Sequence, residues 1–117
     1  MRVALDLDGT ISADPERFRK LAAALRAKGH KVTVLTGCHH DPLLPTCKDE
    51  KKALLESCGF GHEYDKLKVY PQNSVAQDKA DYCRRKGVAI MVDNSQRNAQ
   101  YAPECTTVLV PWHTIVG

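Results

Sequence analysis

Two aspartates, Asp6 and Asp8, stand at the end of the short apolar run Arg2-Val3-Ala4-Leu5-Asp6-Leu7-Asp8-Gly9-Thr10. Carboxylates this close repel each other, and a hard divalent cation is the usual partner that relieves the repulsion. Two solvated loop acids after an edge strand would read the same way in isolation. Further polar groups follow at comparable places. Thr36 ends the run Lys31-Val32-Thr33-Val34-Leu35-Thr36, Asp93 follows Val88-Ala89-Ile90-Met91-Val92, and Lys79 lies near the start of the helical segment before it. Three acids, a hydroxyl and an ammonium suit phosphoryl transfer. A carboxylate can attack phosphorus and form an aspartyl-phosphate, provided that a magnesium ion screens the charge between the two anions. Thr36 can donate a hydrogen bond to a phosphoryl oxygen, and Lys79 can offset charge on the same group. A second, protonated carboxylate can serve the leaving group and then activate water.

These residues need a fold that gathers them. The apolar, β-branched run before Asp6 reads as a buried strand, and Gly9 lets the backbone turn sharply after it. Asp14-Pro15-Glu16 starts a helix with Asp14 as its cap; Phe18, Leu21, Ala22 and Leu25 keep helical spacing, and Gly29 closes it. Lys31 to Thr36 is a second strand, ended by Gly37. The stretch from Cys38 to Thr46 holds two prolines and no periodicity, which predicts a loop, and Lys48 to Cys58 reads as a helix stopped by Gly59. A short strand is expected around Leu67-Lys68-Val69. Ser74-Val75-Ala76-Gln77 carries a capping-box pattern, opening a helix that ends at Gly87. Val88 to Val92 is a buried strand, Asp93-Asn94-Ser95 caps a short helix, and Thr106 to Val110 is a last strand halted by Pro111.

Strands alternating with helices imply a parallel sheet with right-handed crossovers and a helical layer on each face. Every strand of such a sheet delivers its last residues to one edge, where open α/β sheets bind ligands. Asp6, Asp8, Thr36, Lys79 and Asp93 therefore converge from four separate segments.

The 117 residues suffice for one domain and one core, and 43% hydrophobic with 26% charged residues is an ordinary globular composition. No apolar run approaches the roughly 18 residues of a membrane span. Met1-Arg2 leads directly into a strand, leaving no room for a signal peptide, so a cytoplasmic setting is expected. The five cysteines, Cys38, Cys47, Cys58, Cys83 and Cys105, are scattered and odd in number, which favours reduced thiols over a disulfide framework. The net charge of +3 is modest; the basic groups Arg17/Arg19/Lys20, Lys48/Lys51/Lys52 and Arg84/Arg85/Lys86 lie on predicted helices and read as solvated faces.

Taken in order, these motifs resemble those of the haloacid dehalogenase-like (HAD-like) hydrolases. Asp6-Leu7-Asp8-Gly9-Thr10 matches the first motif of that family, Val34-Leu35-Thr36-Gly37 is similar to the second, Lys79 fits the third and Val92-Asp93-Asn94 the fourth. The likeness runs from Val3 to about Val110. It implies a Rossmann-like three-layer sandwich over residues 1–117, with a mainly parallel five-stranded sheet in the order 5-4-1-2-3 and no cap domain. It further implies a magnesium-dependent phosphomonoesterase, with Asp6 as nucleophile and Asp8 as general acid/base. Thr36, Gly37 and Lys79 would bind the substrate phosphate. Asp6, Asp8 through its carbonyl, and Asp93 would hold the metal. Asn94 and Arg97 stand where the family commonly has a second acid. Asn94 could assist through its amide, and His39 could contact substrate at the entrance. A capless member tends to act on exposed phosphoesters, such as a nucleotide or a nucleic-acid end, or to close its site by homo-oligomerising.

Plainer readings stand beside these. Lys79 alone reads as a solvated helix residue, Thr36 as a strand-end hydroxyl, and Asp93 as a helix cap. Cys38, His39, His40 and Cys47 invite zinc, but lack a paired Cys-x-x-Cys. Tyr101 and Trp112 read as packing residues. A catalytically silent binding module would keep the same fold. A receiver-like signalling domain would require an aspartate at the end of the third strand, where Val69-Tyr70 offers none.

Overall fold

A computed structural model of the chain describes residues 1–38 and 45–110. Five strands, β1 (Arg2–Asp6), β2 (Lys31–Cys38), β3 (Lys66–Pro71), β4 (Val88–Asp93) and β5 (Thr106–Leu109), alternate with helices α1 (Pro15–Ala27), α2 (Pro45–Ser57), α3 (Val75–Lys86) and α4 (Arg97–Tyr101). All the strand pairings are parallel, in the order β3-β2-β1-β4-β5. Counted from the other edge, this is the expected 5-4-1-2-3. The α/β class, the parallel Rossmann-like sheet and the helical layers on both faces are therefore as the alternation of elements implied.

The period of two along the central strand separates two cores. Val3 and Leu5 face α1 and α2 and pack with Phe18, Val32, Val34 and Leu55. Ala4 faces the other way, with Leu35, Met91 and the α3 residues Ala80, Tyr82 and Cys83. A strand covered on both faces must be apolar on both, which is why β1 reads as an unbroken apolar run. The register slips by one residue between Arg2 and Val3 against β4. Val88 therefore joins the core opposite to that of Val92 although both are even-numbered.

Local departures from expectation have local causes. Strand β2 runs two residues past Thr36, because Gly37 and Cys38 still pair with Tyr70 and Pro71 of β3. Helix α2 starts at Pro45 rather than Lys48, a residue suited to a first helical turn. Of the predicted loop after Thr36, residues 39–44 lie outside the described residues. Ser74 and Asp14 occupy their cap positions without a side-chain cap bond. Ser74 instead donates to Asp78 at 2.8 Å, and Asp14 pairs with Arg17 at 3.1 Å. Tyr101 is 45% exposed rather than packed, and Trp112 lies outside the described residues.

The cysteine expectation is corrected. Cys38 and Cys47 form a disulfide across 6.4 Å between their Cα atoms, whereas Cys58, Cys83 and Cys105 are free thiols. Their scatter in sequence concealed that the end of β2 and the first turn of α2 are neighbours in space. With both sulfurs bonded to each other, the zinc reading fails as well. Among the described residues, no helix is long and apolar enough to cross a membrane.

Candidate functional site

The chain turns away from the sheet immediately after β1. Asp8 remains extended, at φ −71° and ψ 121°, and Gly9 adopts φ +80°, a conformation that glycine reaches without a Cβ clash. The amide of Gly9 donates to the Ser12 hydroxyl at 2.9 Å. This turn leaves Asp6 buried at the strand end, while Asp8 reaches outward with half its side chain exposed.

Asp6, Asp8, Thr36, Gly37, Lys79, Asp93 and Asn94 all line one cavity of about 260 Å³ at the carboxyl edge of the sheet. His39 lies outside the described residues. Strands β1, β2 and β4 deliver Asp6, Asp8, Thr36, Gly37, Asp93 and Asn94 at or just past their carboxyl ends, and α3 supplies Lys79 one turn into its length. A Cβ at Gly37 would come within 2.7 Å of the Gln72 amide oxygen, the free end of a flexible side chain, and 3.2 Å of Val75, so a larger residue there would push Gln72 aside and crowd the cavity wall. A larger hollow, of about 640 Å³, lies between α1 and strands β4 and β5. Its walls are mainly apolar, so the ionisable chemistry belongs to the smaller cavity.

The charges in that cavity are paired with one another. The Lys79 ammonium donates to Asp6 Oδ1 at 2.6 Å and to Asp93 Oδ2 at 3.2 Å, with all three side chains under a tenth exposed. Thr10 donates to the other Asp6 oxygen at 3.0 Å. Burial drives the Asp6 carboxyl up to about 6, against the opposing pull of Lys79, and the Asp93 charge adds to the rise. Lys79 itself is held above its ordinary value: burial lowers it, but the attraction of Asp6 and Asp93 prevails. Asp8 is held separately. It accepts from Lys51 at 2.7 Å and from the Thr36 hydroxyl at 3.2 Å. Asp93 accepts from the Ser95 amide at 3.1 Å through its second oxygen, and the Asn94 amide reaches the Asp8 carbonyl at 3.4 Å.

Lys51 is the functional residue that sequence reading missed. It was expected on a solvated face, yet it is only 9% exposed and pairs with Asp8. The available signal was its spacing of four from Cys47, which puts both on one helical face. Gln72 and Arg97 also line the cavity without having been assigned there as ligand-binding groups.

The hard oxygen donors are of the type magnesium accepts, but their arrangement is not a preformed metal cage. Among the described residues, no three His, Cys, Asp or Glu side chains converge closely enough to hold a metal ion. Lys79 occupies the place between Asp6 and Asp93.

No family model matches the chain, and no curated protein matches it in sequence. Solved structures do resemble it over its length. A protein of the universal stress protein family from Burkholderia pseudomallei superposes with a TM-score of 0.60 at 14% identity, covering 94% of this chain and 95% of that one. A universal stress protein in complex with cAMP gives 0.51 at 13% identity, with the same coverage. At such identity the likeness concerns the fold. It nevertheless corrects the HAD-like assignment, because the structures that superpose on the chain over its length are universal stress proteins. The phosphomonoesterase activity falls with it, as do the nucleophile role of Asp6 and the acid/base role of Asp8. The motif order reflects what any parallel sheet does with polar strand ends.

Proposed function

We propose that the chain is a single-domain binding module whose cavity at the carboxyl edge of the sheet takes the phosphate of a nucleotide-class ligand. The observation that carries this reading is the buried Lys79, held at 2.6 and 3.2 Å by two carboxylates inside a cavity that Thr36 and Arg97 also line. A buried ammonium in a polar hollow is a ready partner for an anion. The likeness to a universal stress protein in complex with cAMP supports the choice of ligand class.

Charge balance dictates how the ligand enters. The cavity is lined by three acids, Asp6, Asp8 and Asp93, and two bases, Lys79 and Arg97, with Lys51 pairing Asp8 from outside the lining, so it has no formal positive surplus to attract an anion. An incoming phosphate must compete with a carboxylate for Lys79, or bring a cation with it. Magnesium commonly binds through one or two carboxylates together with phosphate oxygens and waters. We therefore include Mg2+ as a companion of the ligand. Asp6, Asp93 and the Asp8 carbonyl are the protein oxygens available to it, and Thr36, Gly37, Lys79 and Arg97 are left to the phosphate. A cytoplasmic setting belongs to the same reading, and there the Cys38–Cys47 bond would be a reversible one.

The test is calorimetric titration of the chain with cAMP, with and without Mg2+, for wild type, Lys79→Met and the exposed variant Arg97→Ala. Saturable binding is expected, tightened by Mg2+ and weakened about tenfold by either substitution, equivalent to about 1.4 kcal/mol. Absence of binding under both conditions, or indifference to both substitutions, would remove the reading. Mg2+-dependent release of phosphate from a nucleotide, lost in Asp6→Asn, would overturn it in favour of turnover.

A further inference from the structure

We infer that a second, adjoining cavity receives the base of the nucleotide whose phosphate occupies the first; the inference rests on the phosphate reading above. This cavity, of about 440 Å³, is lined by Asn94, Ser95, Gln96, Arg97, Gln100 and Leu109. Asn94, Ser95 and Arg97 line the phosphate cavity too, so the two hollows share a wall and one molecule can extend from one into the other. At about 260 Å³ the phosphate cavity alone falls below the range of roughly 300–1,000 Å³ typical of small-molecule sites. The two together fall within it.

The lining fits a planar, hydrogen-bonding ring. Asn94, Gln96 and Gln100 each present a donor and an acceptor at one carboxamide tip, the pairing of groups that a base edge carries. Leu109, 54% exposed at the end of β5, offers an apolar surface to the ring face. Arg97 stands where the cavities meet, able to serve the phosphate by charge and the base by stacking. Gln96 and Gln100 are exposed, so their side chains take no part in the core and are accessible to a ligand.

The experiment titrates the full chain with inorganic phosphate, ribose 5-phosphate and adenosine 5′-monophosphate, each in the presence of Mg2+. Wild type is compared with the double variant Gln96→Ala/Gln100→Ala, whose exposed positions leave folding intact. The nucleotide is expected to bind at least about tenfold more tightly than ribose 5-phosphate. In the double variant that preference should shrink to about threefold or less, with ribose 5-phosphate affinity unchanged. Equal affinity of the two probes for wild type, or a full preference retained by the variant, would overturn the base subsite alone. Failure of all three probes to bind wild type would overturn the phosphate site and the subsite with it.

Discussion

Asp6→Asn should make the protein more stable at neutral pH while leaving it nearly unchanged in mild acid. The Asp6 carboxyl is 5% exposed and is raised by burial from 3.8 to about 6. A carboxyl held higher in the folded chain than in the unfolded one binds its proton more tightly when folded. Its stabilising contribution is complete below pH 3.8 and is lost as pH rises through about 6. At 1.36 kcal/mol per pH unit, the ionised form costs about 3 kcal/mol at pH 7. Asparagine mimics the neutral acid, keeps an oxygen for Lys79 or Thr10, and does not ionise. The difference between variant and wild type should therefore be small near pH 4, grow through pH 4–6, and level off near 3 kcal/mol in favour of the variant. Urea denaturation of both proteins at half-unit steps from pH 4 to 8, in chelator-containing buffer, measures it through the shift in midpoint at constant slope. A difference that stays flat with pH, or that favours wild type increasingly above pH 6, would refute the buried-carboxylate account.

The two lysines of the site should behave unequally. Lys79→Met leaves Asp6 and Asp93 buried without their cation and should cost about 3–5 kcal/mol, whereas Lys51→Met leaves the half-exposed Asp8 and should cost under about 1 kcal/mol; paired urea curves give both values. Cys47→Ser opens the ten-residue loop from Cys38 to Cys47 and should lower stability by about 2–3 kcal/mol, a loss that a dithiol reductant should reproduce in wild type and not in the variant. Metal-free cAMP binding should strengthen as pH falls through about 6, since a protonated Asp6 removes a negative charge facing the phosphate while the ligand's own charge stays constant; titrations at pH 5 and 7.5 would show no such change if Asp6 lies outside the binding field.

Much of this molecule could be read from its residues in order. Apolar runs such as Val3–Leu5 and Val88–Val92, separated by helical periodicity from Phe18 to Leu25, determined an α/β sheet. A parallel sheet brings its strand ends to one edge, so Asp6, Asp8, Thr36 and Asp93 had to meet there. The periodicity is local, and local signals survive in sequence. Partner choice does not. That Lys51 turns inward to Asp8, that Lys79 sits between Asp6 and Asp93, and that Cys38 bonds Cys47 depend on how far each helix is rotated and how deeply it seats over the sheet. Packing between residues 9 to 73 positions apart sets those quantities. The same limit explains the mistaken family. Polar residues at strand ends in a given order are compatible with several lineages, because any parallel sheet will gather them. The likeness to universal stress proteins lies in the path of the whole backbone, and only the tertiary structure carries that.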